Sequence, residues 1–386
     1  MKVLKLILKN ALRHKLRTIL TILGITIAVI AFGLLRTVVT IWYSNVDATQ
    51  ADRLIIRQAV SFIYPLPYAY YEKIKNVAGV NEVTFANWFQ GVYKDKNNFF
   101  ARLAVNQETF FDVYSEFLIS DDELATFKKE RNSCVIGEAI AKQYNIKIGD
   151  MMVLEGDIYL GRWEFIVRGI YKPKNKNTDA TQMLMHWSYI DERMRIEDPI
   201  RAGDVGWYIV RIDNPNKSAE ISETIDALFK NSPAETKTET EKAFTHGFVS
   251  ASSAIITAMN FLSFVIIGVI MLVLANTMIM SATERTKEYA VLKTLGFSSK
   301  HLVGLIMGES LMISSIGGSI GIILTYPIVA SFEEAIPKGF FPFFYVEPIT
   351  TIYAITAVLL IGLLASIFPL QRALRTSIIE GFRFVG

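Results

Sequence analysis

The sequence predicts an α-helical membrane protein with four transmembrane helices and a large α+β extracytoplasmic domain between the first helix and the second. Two observations predict this class. The 386 residues are 51% hydrophobic with a mean hydropathy of +0.32, and their apolar residues form blocks long enough to cross a bilayer, which takes ~20 residues. Residues 44–250, between the first two blocks, have mixed charge and frequent turn residues. That stretch is long enough to fold around a core of its own.

The chain opens with an amphipathic segment and a first span. Residues 1–17 place apolar side chains on one helical face and Lys and Arg on the other, a pattern typical of an elbow helix lying along the membrane surface. Residues 18–43 form the first span, with Arg36 near its outer end. Such an arginine either reaches the headgroups or forms an intramembrane ion pair. A cleaved signal peptide is the alternative, but no small-residue cleavage site follows the apolar run.

The extracytoplasmic domain reads as α+β over residues 44–250. A helix over 67–78 and a hairpin over 80–105 open it, and a strand, a helix and a strand over 207–240 close it. These opening and closing parts could pair with each other. A β-rich, barrel-like subdomain is predicted as an insertion over about 115–200.

Residues 251–386 contain three further spans, at about 255–280, 302–329 and 349–369. Lys and Arg number six in residues 1–17, four in 281–301, one in 331–348 and three in 370–386. Basic residues accumulate on the cytoplasmic side of membrane proteins. Both termini and the polar loop after the second span are therefore predicted to be cytoplasmic.

That polar loop is predicted to be a short helix over 284–296. Glu284 and Lys287 share one helical face, Val291 and Leu295 stack one turn apart, and Gly296 occupies the position just past a helix end. A plain connector between spans would be short and would not need an apolar stripe. The pattern therefore predicts a docking partner.

The span over 302–329 carries small residues four apart, at Gly304 and Gly308 and again at Gly317 and Gly321. Such pairs let helix backbones approach closely, within or between subunits. Glu309 lies in the same span and indicates either an ion path or a buried polar contact that fixes helix packing. The polar contact is favoured, because no other charged residue lies at a matching depth in the other spans.

The sequence lacks the motifs of the common enzyme classes. It contains no Gly-Lys dipeptide, and hence no Walker A loop, and no His-Glu-x-x-His. The single cysteine, Cys134, and four scattered histidines do not have the spacing of a metal site. The basic run over 172–176 is typical of a solvated loop, so no nucleic-acid partner is expected.

Three stretches resemble the permease subunits of the MacB, LolC/LolE and FtsX group of ABC transporters (type VII). Asn10–Thr26 is similar to the elbow and first span of that family, and Glu284–Gly296 resembles its coupling helix. Phe368–Arg375 with Glu380–Arg383 resembles its C-terminal end, although Ser377 stands where the family often has proline.

The resemblance implies a homodimer or heterodimer of permeases in a bacterial inner membrane, bound to two copies of a cytoplasmic ABC ATPase. It implies a separate ATPase protein, because the chain begins at the elbow, and ATP and Mg²⁺ bound only through that subunit. No metal and no directly bound cofactor are expected. The residues implied in ATPase coupling are Glu284, Arg285, Lys287, Glu288, Tyr289, Val291, Leu292, Leu295 and Gly296.

The resemblance further implies mechanotransmission, in which ATPase movement passes through the spans to the periplasmic domain. This movement would drive export, or extraction of lipid or lipoprotein, towards a periplasmic adaptor or carrier. The alternative is an FtsX-like regulator that activates a periplasmic cell-wall hydrolase. The size of the 44–250 domain favours transport.

Overall fold

The structure, a computed structural model, describes residues 11, 13–47, 49–335 and 344–375. Predictions that fall on residues 1–10 and on the stretch beyond 375 lie outside the described residues. Contacts divide the chain into a membrane unit, made of residues 1–40, 253–332 and 344–386, and an extracytoplasmic unit, made mainly of residues 41–252.

Helices and strands are numbered here in chain order within the described residues. The helices are α1 (Lys15–Asp47), α2 (Tyr71–Lys75), α3 (Phe110–Val113), α4 (Asp121–Lys129), α5 (Glu138–Tyr144), α6 (Trp187–Glu197), α7 (Ser218–Leu228), α8 (Glu241–Ala251), α9 (Ser253–Glu284), α10 (Thr286–Thr294), α11 (Ser299–Ala335), α12 (Pro348–Ala365) and α13 (Ile367–Arg375). The strands are β1 (Arg53–Gln58), β2 (Leu66–Pro67), β3 (Val80–Trp88), β4 (Val92–Tyr93), β5 (Ala101–Val105), β6 (Phe117–Leu118), β7 (Ser133–Gly137), β8 (Met151–Gly156), β9 (Gly161–Pro173), β10 (Gln182–His186), β11 (Asp204–Val205), β12 (Trp207–Ile212) and β13 (Thr236–Thr240).

The membrane unit is built from α1, α9, α11 and the α12–α13 pair. Among the described residues, four helical segments are long and apolar enough to cross a membrane: Lys15–Tyr43, Ser253–Glu284, Ser299–Ala335 and Pro348–Leu374. They contain the predicted spans, and a large domain of helices and strands lies between the first and the second. The predicted fold class is confirmed.

The α1–α11 contact depends on two of the predicted small residues. A Cβ atom added at Gly317 would lie 2.9 Å from the Ile22 carbonyl oxygen, and one at Gly321 would lie 2.7 Å from the Val29 Cβ. Thr26 Oγ1 also donates a hydrogen bond to the Gly317 carbonyl across the contact, at 3.1 Å. Only glycine allows this approach of the two backbones.

The first small-residue pair behaves differently. A Cβ atom at Gly304 would meet nothing within 4 Å among the described residues. Gly304 therefore makes no close helix contact within the described chain. Its packing against a helix of another subunit stays a prediction, because spacing alone does not say which face of a helix is covered.

In the extracytoplasmic unit, one long sheet has the order β13-β1-β12-β3-β5-β10-β7-β9-β8-β4 within the described residues. Strand β1 pairs antiparallel with both β12 and β13, and β12 pairs antiparallel with β3. The predicted pairing of the closing and opening parts is thus present. Leu54 and Ile56 of β1 face one buried cluster and Ile55 faces another, which is the alternation that a strand covered on both sides requires.

The predicted insertion over about 115–200 is not a separate sheet. Strand β10 pairs in parallel with β5, so β7 to β10 continue the main sheet. The far end of that sheet is β4, which pairs with β8 although it begins only four residues after β3 ends. This short connection requires the sheet to curl back on itself.

The sequence analysis did not predict helix α4. Its start carries a recognisable sequence signal, since Ser120 Oγ accepts the Glu123 N–H as in a capping box.

We expect Gly317→Ala to lower the stability of the membrane unit by about 1–3 kcal/mol, because the added methyl group would press the α1 backbone away. The control is Gly304→Ala in the same helix, which should be neutral or stabilising by up to about 1 kcal/mol through helix propensity. Thermal unfolding of the full chain in detergent measures both effects. Equal shifts in the two variants would contradict the assigned contact.

Candidate functional site

Helix α10 lies between α9 and α11 and ends as the sequence predicts. Gly296 follows it with φ +84°. The Gly296 N–H donates to the Lys293 carbonyl at 3.1 Å, and the Phe297 N–H donates to the Leu292 carbonyl at 3.0 Å. These two bonds are the Schellman arrangement, in which a left-handed residue satisfies the last carbonyls of a helix. The predicted position of Gly296 is confirmed.

Glu284 and Glu288 contact basic residues of the N-terminal segment. Arg17 Nη2 lies 2.7 Å from Glu284 Oε1, and His14 Nε2 lies 3.2 Å from Glu284 Oε2. Arg13 Nη1 donates to Glu288 Oε1. Solvent screens pairs this exposed, so they add little to stability and mainly orient this part of the chain. Both carboxylates are engaged within the chain.

A buried ion pair connects the start of α10 to α11. Arg285 Nη1 lies 2.9 Å from Glu309 Oε2, and both side chains are almost fully buried. Ser281 Oγ also lies 3.5 Å from Glu309 Oε1. The search for a charge at a matching depth in the other spans therefore did not find Arg285, although the buried polar contact that it favoured is present. The partner was missed because Arg285 lies just beyond the predicted end of a span and its side chain reaches inward. The geometry is that of a buried polar contact between helices.

Two further contacts hold α10 against the membrane unit. Tyr289 is buried, and burial raises the pKa of its phenol to about 12, so the side chain is neutral at physiological pH. Lys293 Nζ donates to the Ala373 and Leu374 carbonyls near the end of α13, at 3.3 and 3.2 Å. A cation is favourable at that position because the helix dipole is negative there. Helix α10 is thus attached to the N-terminal segment, α11 and α13.

The opposite side of α10 remains open. Val291, Leu295 and Phe297 are exposed, Leu295 at 70% of its surface, and Lys287 is exposed beside them. Leu292, by contrast, is partly buried against the membrane core. The predicted set of coupling residues therefore separates into an inward group that anchors the helix and an outward apolar group available to a partner.

The described residues contain no cluster of three or more His, Cys, Asp or Glu side chains that could hold a metal ion. Cys134 is buried in β7, and burial raises the pKa of its thiol. It is a core residue of the extracytoplasmic sheet.

Family models match both parts of the chain. Residues 18–228 match the MacB-like periplasmic core domain, and residues 260–378 match the FtsX-like permease C-terminal domain. The chain belongs to the MacB/FtsX-type ABC transporter permeases. This family is a non-catalytic one, and membership implies an ABC ATPase partner.

The alignments with similar proteins cover different shares of this chain and of each relative. It is 22% identical to an uncharacterized ABC transporter permease of Methanocaldococcus jannaschii over 97% of this chain and 96% of the relative. It is 24% identical to the macrolide export ATP-binding/permease protein MacB of a Shewanella species, over 96% of this chain but 59% of the relative. The extracellular domain of the noncanonic ABC-type transporter YknZ from Gram-positive bacteria aligns with 49% of this chain and 100% of its own length, at 12% identity and a TM-score of 0.36.

For the buried pair of this permease, we expect Glu309→Leu to cost about 3–5 kcal/mol of stability, because the buried charge of Arg285 would lose the carboxylate that compensates it. The double variant Arg285→Met with Glu309→Leu should recover most of that loss. A double-mutant cycle on thermal unfolding in detergent measures the coupling. Additive losses in the double variant would show that the two side chains do not depend on each other.

Proposed function

We propose that this permease couples ATP hydrolysis by a cytoplasmic ABC ATPase to movement of its extracytoplasmic domain, and that α10 is the contact with the ATPase. The observation that carries the proposal is the two-sided character of α10. Its inward side is fixed by Arg285, Tyr289 and Lys293, while Val291, Leu295 and Phe297 are apolar and exposed. A rigid helix that presents apolar anchors is the form in which helices dock into grooves of a partner.

The contacts of α10 provide a path for the movement. The buried pair joins α10 to α11 through Glu309, and α11 in turn packs on α1 at Gly317 and Gly321. The chain of α1 continues directly into the extracytoplasmic domain, and α8 of that domain ends two residues before α9 begins. A displacement of α10 would therefore be passed on through packed helices and covalent connections.

The remaining features of the assembly belong to the same proposal. The distribution of basic residues supports cytoplasmic termini and a cytoplasmic α10 in a bacterial inner membrane. Two permease chains, identical or paralogous, would bind two ATPase subunits, and ATP and Mg²⁺ would be held by those subunits. The 386 residues contain no Gly-Lys dipeptide and hence no Walker A loop.

We further propose that the coupled movement serves export, or extraction of lipid or lipoprotein from the membrane, towards a periplasmic adaptor or carrier. The match of residues 18–228 to the MacB-like periplasmic core domain supports transport, as does the export function in the printed name of the MacB relatives. Activation of a cell-wall hydrolase is the alternative outcome of the second experiment below.

We expect Leu295→Asp to reduce recovery of the ATPase subunit with the tagged full chain at least about tenfold, because apolar anchors contribute 2 kcal/mol or more at interface centres. Leu160→Asp is the control, since Leu160 is similarly exposed, at 74%, but lies in the extracytoplasmic unit. Quantitative mass spectrometry after purification from native membranes measures the recovery. The proposal fails if wild type recovers no ATPase, or if both variants lose it equally.

Cross-linking of the full chain in intact cells should separate transport from hydrolase control. Transport predicts that the extracytoplasmic residues cross-link to an adaptor or carrier protein without hydrolase activity. A cross-linked partner that cleaves peptidoglycan only while the ATPase turns over would instead establish the regulatory alternative. Peptide mass spectrometry combined with a peptidoglycan cleavage assay distinguishes the two.

A further inference from the structure

A cleft of about 680 Å³ lies within the extracytoplasmic unit. It is formed by the ends of β3 and β12 that lie next to each other, the loop before β2, the turn between β8 and β9, and the residues just before β11. Four aromatic side chains line it: Phe62, Trp88, Tyr159 and Trp207. Its volume is in the range of sites for small organic molecules, about 300–1,000 Å³.

Hydrogen bonds fix the floor of this aromatic cleft. Asn87 Nδ2 donates to the Tyr159 hydroxyl at 2.8 Å and to the Asp204 carbonyl at 3.2 Å. Trp187 Nε1 donates to the same carbonyl at 2.9 Å. A Cβ atom at Gly206 would lie 2.9 Å from the Ala86 carbonyl oxygen, so the two strands meet closely there. A preformed cleft loses little entropy when a ligand binds.

The mouth of the aromatic cleft is apolar and open. Ile63 and Ile200 line it with 88% and 90% of their surfaces exposed. Large apolar side chains held in water beside a cleft mark an interaction site. They would cover the apolar part of a bound molecule.

The charged residues of the aromatic cleft favour a positively charged ligand. The Arg201 guanidinium already has partners. Its Nε lies 3.2 Å from Asp198 Oδ2, and its Nη1 donates to the Ile158 carbonyl. The Asp204 carboxylate has no hydrogen bond or ion pair to any residue that the structure describes. Burial raises the pKa of Asp204, and the negative charge of Asp191 nearby adds to the rise. The charge in the cleft that has no partner among the described residues is therefore the negative charge of Asp204.

We propose that this cleft binds an organic ammonium ligand with an apolar body, its cation against Asp204 and the aromatic faces and its body against Ile63 and Ile200. Aromatic rings attract a quaternary or protonated amine through their electron-rich faces, and a carboxylate adds direct charge attraction. An anionic amphiphile would place its charge beside Asp204. A neutral one would gain nothing from that residue. Binding at this cleft does not depend on the proposed ATPase coupling.

The test uses the full chain in nanodiscs of zwitterionic lipid and three short probes of equal length, hexyltrimethylammonium, hexanol and hexanoate. Fluorescence titration reports binding, because Trp88 and Trp207 line the cleft. We expect saturable binding of hexyltrimethylammonium, weaker binding of hexanol and weakest binding of hexanoate. Asp204→Asn should weaken binding of the ammonium probe about tenfold, since a nearby opposite charge shifts such equilibria by that order, and leave hexanol unchanged.

The matched control is Asp213→Asn, which removes the same charge just past the other end of β12 and should not change any affinity. Asn in place of Asp204 keeps the backbone carbonyl that Asn87 and Trp187 bind. Ile63→Ser provides a second variant at an exposed position and should weaken both the ammonium probe and hexanol about threefold. Equal affinities of the three probes, an unchanged ammonium affinity in Asp204→Asn, or the absence of saturable binding would each overturn the proposal.

Discussion

The ion pair between Arg285 and Glu309 is the constraint on which the α10 end of the membrane unit of this permease depends. Two charges at 2.9 Å in nearly complete burial are tolerable only together. The pair therefore determines where α10 begins and which side of it faces α11. Tyr289 and Lys293 follow from that orientation, because each lies on the side that the pair turns inward.

This orientation gives the short helix α10 two different sides. Its polar and aromatic inward residues hold it to the spans, while Val291 and, just past the helix end, Leu295 and Phe297 are exposed. At Gly317 and Gly321, α11 then packs directly against the backbone and the Ile25 and Val29 side chains of α1. Close backbone packing transmits displacement with little loss, because densely packed interiors deform little.

In the extracytoplasmic domain, the pairing of the strands is the corresponding constraint. Strand β10 beside β5 joins the inserted strands to the main sheet, and the short step from β3 to β4 makes the sheet curl. The aromatic cleft lies where the turn between β8 and β9 meets the adjacent ends of β3 and β12. Clefts between structural parts are common places for ligand sites.

The sequence by itself determined the spans, the position of the polar helix and its end at Gly296, because hydropathy, helical period and glycine's left-handed conformation are local properties. It also indicated that Glu309 makes a buried contact. Only the tertiary structure decided that the contact is Arg285, 24 residues earlier. It alone distinguished Gly317 from Gly304 and assembled the cleft around Asp204. Each of these depends on which faces of distant segments meet, and no local pattern records that.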